Sequence, residues 1–377
     1  MARAAKGKKA KKTRKAAPAK ARAGKRAKAG IEAMAPDSGP VTLAEARALA
    51  QAKQPMLAAQ AVSKAAAPPA SPAAVGAERE KLRKEQRDER VRRVREYRAT
   101  MAIMKRRGAR RPRPTGLRAA GGEPTAEEDG SFVPLQIFAE GDSWFDYPVP
   151  LFGGGIIPRL ERRLGVPILN LAKAGDEARY MLGVDERKIL VEHLTNGCPA
   201  GGPWDALLFS GGGNDIVGNP MALWVGDWNP ALPPAGQILQ PRFDAALALV
   251  RAAYEDLIAL RDRLSPTTQL VFQGYDFAIP DGRGICNFGP WLKPTFDLHL
   301  FPTLAAGQAV VKVMLEQFAA MLTSLVGPKV TFIDGQGTLA PQTSSWHNEL
   351  HPAKAGFEKF ADIFRAKLKV LFPDRVA

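Results

Sequence analysis

Phe138-Ala139-Glu140-Gly141-Asp142-Ser143-Trp144-Phe145-Asp146-Tyr147 is an apolar run that halts at Gly-Asp-Ser. The run reads as the end of a buried strand, and the halt puts a hydroxyl where an open α/β sheet presents a nucleophile. Gly, Asp and Ser are also the commonest turn formers after any strand. The tripeptide therefore acquires meaning only from what the rest of the chain sets beside it.

From residue 132 onward short apolar runs alternate with stretches of helical period. Strands are expected at 135–140, 167–172, 206–210, 269–274 and 329–334, with helices at 155–164, 177–194, 242–264, 306–326 and 353–371. In the third helix Phe243, Leu247, Val250, Tyr254, Leu257, Ile258 and Leu264 recur at mostly three or four residues, one apolar face for packing on a sheet. Strands separated by helices imply an α/β fold with a five-stranded parallel sheet, covered on both faces and built with right-handed crossovers. About 245 residues suffice for one such core.

Two insertions interrupt the rhythm, at 216–240 and 276–304. Each follows a strand and is rich in Pro, Gly and aromatics, among them Trp224, Trp228, Phe277, Phe288, Trp291 and Phe296. Loops after the strands surround the ligand crevice of an open α/β sheet, so Trp144, Trp224, Trp228, Phe277 and Trp291 are candidate substrate walls.

Four strand ends carry groups suited to acyl transfer. The first ends in Ser143, and the second leads to Lys173-Ala174-Gly175-Asp176. The third leads to Ser210-Gly211-Gly212-Gly213-Asn214-Asp215, and after the fifth comes Trp346-His347-Asn348-Glu349-Leu350-His351-Pro352. Serine is a weak nucleophile until a neighbouring base takes its proton, and neutral histidine does so near pH 7. His351 is the candidate base. The N–H groups of Ser143 and Gly175 with the Asn214 amide are candidate oxyanion donors. Asp146, Tyr147 and Asp215 border the site in structural roles.

These four blocks, in this order, resemble the SGNH or GDSL-type hydrolase family. Ser143, Gly175, Asn214 and His351 match the residues that give the family its name, over about residues 132–371. The resemblance implies a three-layer α/β/α sandwich of flavodoxin-like type. It also implies esterase, lipase or thioesterase chemistry on a small or lipid-like ester, without metal or organic cofactor. One position departs: the family's last block reads Asp-x-x-His, and here Asn348 precedes His351 by three. An amide oxygen can accept from the imidazole but cannot stabilise an imidazolium as a carboxylate does. Three readings follow: a dyad supported by Asn348, an acid from elsewhere such as Glu349, or a weakened enzyme. A zinc reading of His347 and His351 fails, because Glu does not directly follow the first His and Pro352 disfavours a helix there. His193 and His299 are assigned surface or packing roles.

The N-terminal third differs in kind. Residues 1–120 hold 33 Lys and Arg against 9 Asp and Glu, whereas residues 121–377 hold 21 against 29. The first 30 residues carry 13 basic side chains and no acid. Residues 1–76 are expected to be a disordered basic tail and Ala/Pro-rich linker. Residues 77–130 are expected to be a solvated charged helix, its Val94, Tyr97, Met101 and Met104 at heptad spacing, followed by a linker, with the hydrolase domain at 131–377. Such charge suits sequence-independent binding of a polyanion, nucleic acid or polyphosphate, through residues 1–120. Cys198 and Cys286 are too few for a disulfide framework or a four-cysteine zinc site and read as ordinary thiols. No run is long and apolar enough for a membrane helix, and a cytoplasmic location is expected.

Overall fold

The computed structural model of the chain describes residues 39–52, 72–110, 131–147, 153–285 and 288–376. The basic stretch 1–30, much of the Ala/Pro-rich segment, the Arg/Pro and Gly/Glu linker and Cys286 lie outside the described residues. In chain order the elements are α1 (Leu43–Ala52), α2 (Pro72–Arg107), β1 (Ala109–Arg110), β2 (Ser131–Phe132), β3 (Ile137–Gly141), α3 (Ile156–Leu164), β4 (Ile168–Asn170), α4 (Ala178–Met181), α5 (Val184–Asn196), β5 (Ala206–Ser210), α6 (Gly213–Ile216), α7 (Gln240–Leu264), β6 (Gln269–Gln273), α8 (Lys293–Leu298), α9 (Leu304–Thr323), β7 (Val330–Ile333) and α10 (Lys354–Leu371).

Five strands form a wholly parallel sheet in the order β4-β3-β5-β6-β7. β3 and β5 are buried at every position, which is why they read as unbroken apolar runs. The order reverses between β3 and β5. Right-handed crossovers then put α3 and α10, which pack together, on one face, and α5, α7 and α9 on the other. In such a sheet the crevice beyond the strand ends at the reversal is the ligand site. Ser143 and the Ser210–Asp215 loop stand there.

The helix expected at 177–194 is two helices, α4 and α5, broken at Gly183. A Cβ there would crowd Tyr180 O at 3.0 Å and Arg179 O at 3.1 Å, so the chain turns where only hydrogen fits.

The N-terminal expectations need two corrections. The segment read as a linker contains α1, which packs on α2 through buried Ala46 and Ala50. A capping box starts it: Glu45 N donates to Thr42 Oγ1 at 3.3 Å and Thr42 N donates to Glu45 Oε2 at 2.8 Å. The charged helix is present, but it is not wholly solvated. Its Tyr97, Met101 and Met104 are buried, and the Tyr97 ring lies 5.6 Å from Trp204, itself 4.7 Å from Phe138 of β3. α2 packs against β4, the edge strand, where uncovered backbone groups would otherwise face solvent. Composition concealed this because one narrow apolar stripe is diluted by the charges around it.

Candidate active site

β3 closes on β5 more tightly than a side chain would permit, since a Cβ on Gly141 would meet Ser210 O at 2.6 Å. The chain then turns on Asp142. Its backbone N–H donates to Ser210 O at 3.0 Å, and its carbonyl accepts from Phe145 N and Asp146 N, both at 3.1 Å. Its carboxylate accepts from Trp144 N at 2.9 Å and Ser210 Oγ at 3.0 Å through Oδ1, and from Tyr275 OH at 2.5 Å through Oδ2. Burial pushes this carboxyl up to about 6, against the lowering effect of those donors. The turn is thus fixed from behind, and Ser143 is carried at its tip.

The histidine block folds back on itself, with His347 N donating to His351 O at 2.8 Å. Asn348 organises the tip. Its Oδ1 accepts from Leu350 N at 3.0 Å and His351 N at 2.9 Å, while its Nδ2 donates to Tyr147 OH at 3.2 Å. Two backbone donors on one atom identify that atom as the oxygen, so His351 Nδ1, 2.9 Å from it, must carry the ring proton. Nε2 is then bare and lies 2.6 Å from Ser143 Oγ. Burial, and secondarily the charge of His347, pushes His351 down to about 3, so the imidazole is neutral at pH 7.

Glu349 does not reach this histidine. Its Oε1 accepts from Gly282 N and Lys293 N at 2.9 Å each, and its Oε2 from Trp291 N at 2.5 Å and Leu292 N at 2.8 Å. The carboxylate pins the 276–304 insertion to the histidine block, which removes it as the alternative acid. His347 faces elsewhere too, with Nδ1 2.5 Å from Tyr147 OH. Among the described residues no group of His, Cys, Asp or Glu could hold a metal ion.

The glycine run after β5 is closely approached by neighbouring side chains. Gly212 has φ +95°, and a Cβ there would meet Val250 Cγ1 at 2.6 Å. Asn214 follows at the rim and donates one amide hydrogen to Asp176 O at 2.8 Å. Gly175, next to Asp176, has φ +82° and open space where a Cβ would stand. Asp215 caps α4, accepting from Ala178 N at 2.7 Å, the structural role expected of it.

Ser143, Trp144, Asn214 and His351 line one cavity of about 40 Å³, whose apolar wall includes Ile216, Val217, Leu292, Val311, Met314 and Leu315. Gly175 is not among its lining residues. Of the aromatic candidates, Trp144 lines the cavity and Trp291 stands edge-on to His351, ring centres 6.0 Å apart. The other three are corrected. Trp224 packs on Phe243, Trp228 on Phe301, and the Phe277 ring lies under Lys312 Nζ. The 216–240 insertion satisfies its own backbone, with Gly226 N on Gln237 O and Gln237 Nε2 on Asn229 O, so its tryptophans plug it rather than face a ligand. The wall contributed by α9 was missed, because its apolar positions read equally well as sheet packing. Tyr275 was missed as well, although its place two residues beyond β6 marks it as a strand-end polar group. A wider hollow of about 350 Å³ beside α1, α2 and β4 holds none of the catalytic or oxyanion candidates.

No protein-family model matches the chain, and no curated protein matches it. Among solved structures it is similar to the lipase Lip_vut3 from goat rumen metagenome, at 16% identity and TM-score 0.41, covering 62% of this chain and 96% of that one. An extracellular lipase from Streptomyces rimosus gives 16% and 0.38, covering 62% and 99%. Phospholipase A1 from Streptomyces albidoflavus gives 13% and 0.36, covering 61% and 98%. Likeness at this level has no bearing on chemistry, which rests on the geometry above.

Proposed function

We propose that the chain is a serine hydrolase of the SGNH type that cleaves an ester or thioester through an acyl-enzyme on Ser143. The observation that carries this reading is the 2.6 Å contact of Ser143 Oγ with a bare His351 Nε2. His351 takes the hydroxyl proton as Oγ attacks the acyl carbon, then gives it to the departing alcohol or thiol. Water repeats the sequence on the acyl-enzyme. The tetrahedral oxyanion is received by the N–H groups of Ser143 and Gly175 and the free hydrogen of the Asn214 amide, each such donor being worth about 100- to 1000-fold in turnover. Asn348 supplies geometry rather than charge. In serine proteases, Asn in the acid's place costs about 10⁴-fold because it selects the wrong tautomer. Here Oδ1 is held toward Nδ1 by two backbone donors, so that part of the cost is avoided.

A fluorophosphonate should label Ser143 in the wild-type chain and not in Ser143→Ala, and p-nitrophenyl acetate hydrolysis should vanish with the label. An unlabelled wild-type protein, inert toward short-chain esters, would sink the reading.

A second reading rests on the 13 basic and no acidic side chains of the first 30 residues: this segment tethers the enzyme to a polyanion. Retention of duplex DNA should then fall with salt at a log-log slope of about −0.9 per phosphate neutralised and disappear when residues 1–38 are removed. Unchanged retention in the truncated chain refutes it.

A further inference from the structure

Arg93, on α2, reaches two of the strand ends that build the site. Its Nη2 donates to Asp146 Oδ2 at 2.8 Å, and its Nη1 to the carbonyls of Asn170 and Ala172 at 3.2 Å each. Asp146 belongs to the turn that carries Ser143, its backbone N–H bonded to Asp142 O. Asn170 ends β4, and Ala172 leads into the loop of Gly175. Strand alternation explains the second contact. Leu171 N and Lys173 N donate inward to Ala139 O and Gly141 O, so the carbonyls of 170 and 172 point outward from the edge strand. Arg93 occupies that edge. The loop it holds runs on to Asp176, whose carbonyl receives the Asn214 amide. One guanidinium therefore spans the nucleophile turn and the loop that carries Gly175 and receives the Asn214 amide.

We propose that Arg93 is a positioning residue of the hydrolytic site, fixing the separation between the Ser143 turn and the Gly175 loop. The proposal rests on Ser143 being the nucleophile. An ion pair as exposed as Arg93 with Asp146, at 25% and 28%, contributes little to stability alone. What it supplies is a planar fork that addresses a carboxylate and two carbonyls together, which the compact ammonium of lysine does not reproduce. The N-terminal helix is on this account part of the catalytic architecture.

The test compares full-length wild type, Arg93→Ala and Arg93→Lys in p-nitrophenyl acetate kinetics and in amide hydrogen exchange of residues 143–147 and 171–176. Arg93→Ala should lower kcat roughly 10- to 100-fold with little change in KM, since small misplacements cost that much. Exchange should quicken in both segments, and Arg93→Lys should recover part of each loss. A folded Arg93→Ala with wild-type kcat, or with exchange altered in neither segment, overturns the proposal. Should that variant not fold, Arg93→Lys and Asp146→Asn decide by the same two readouts. Failure of the hydrolase reading is distinguishable, because the wild type itself would then be unlabelled and inert, while exchange would still report whether the two segments are clamped.

Discussion

The nucleophile turn and the histidine corner are each gathered around one buried oxygen-bearing side chain, and the two differ in charge. Asp142 accepts from Trp144 N, Ser210 Oγ and Tyr275 OH. Asn348 accepts from Leu350 N, His351 N and His351 Nδ1. The carboxylate stands behind the nucleophile, where it shapes the turn, and the neutral amide stands behind the base. Glu349, the adjacent carboxylate, is taken up by four backbone N–H groups of the 276–304 insertion. On the proposed mechanism the base is thereby oriented without being charged: a neutral His351 would accept the Ser143 proton, and the imidazolium that follows would be held by geometry alone.

Removing both organisers tests the comparison most severely. Asp142→Ala strands the hydroxyls of Tyr275 and Ser210 where water does not replace the lost acceptor, at about 1–3 kcal/mol for each stranded group. Denaturant unfolding should show a loss of several kcal/mol, and hydrolysis should fall to background. Asn348→Ala strands chiefly the backbone N–H groups at the tip and frees the His351 ring to change tautomer. Stability should fall here too, by about 1–3 kcal/mol for each buried N–H left unpaired, while turnover drops by up to about 10⁴-fold, the cost of the wrong tautomer in serine proteases. A folded Asn348→Ala that keeps wild-type turnover would contradict the division between a turn that is built and a base that is aimed.

The sequence carried the sheet and its blocks further than the walls. β3, β5 and β6 were legible because central parallel strands bury both faces and leave continuous apolar runs. Ser143 and Asn214 were legible because each stands just beyond a strand end, and His351 because its block directly precedes the last helix; the structure brings all three to one cavity. Trp224 and Trp228 were misplaced because composition does not show whether a loop spends its aromatics on itself or on a ligand. α1 was missed although Thr42-x-x-Glu45 is a capping signature, since its buried face is Leu43 and two alanines and carries little hydrophobic signal. Arg93 was invisible for another reason. Among the many arginines of α2 nothing local distinguishes the one that meets Asp146 and two carbonyls at the edge of β4.

The finest test restores charge to the histidine corner. A base must be unprotonated to accept a proton, so activity falls as pH drops through its pKa. With His351 pushed down to about 3 by burial and His347, the acidic limb of kcat/KM in the wild type should lie well below the ordinary histidine range near 6.5. Asn348→Asp places a carboxylate against Nδ1, favours the imidazolium and raises the pKa, so the limb should move upward by about 1–3 units. Turnover near pH 8 should be retained or increased. A wild-type limb near 6.5 that moves with the substitution would refute the assignment of His351 as an uncharged base, whereas an unmoved limb near 6 would be that of Asp142, whose carboxyl is pushed up to about 6. Collapse of turnover at every pH would identify the amide hydrogen itself as the requirement. Aspartate has no donor for Tyr147 OH, which would then have to present its own hydrogen to the new carboxylate.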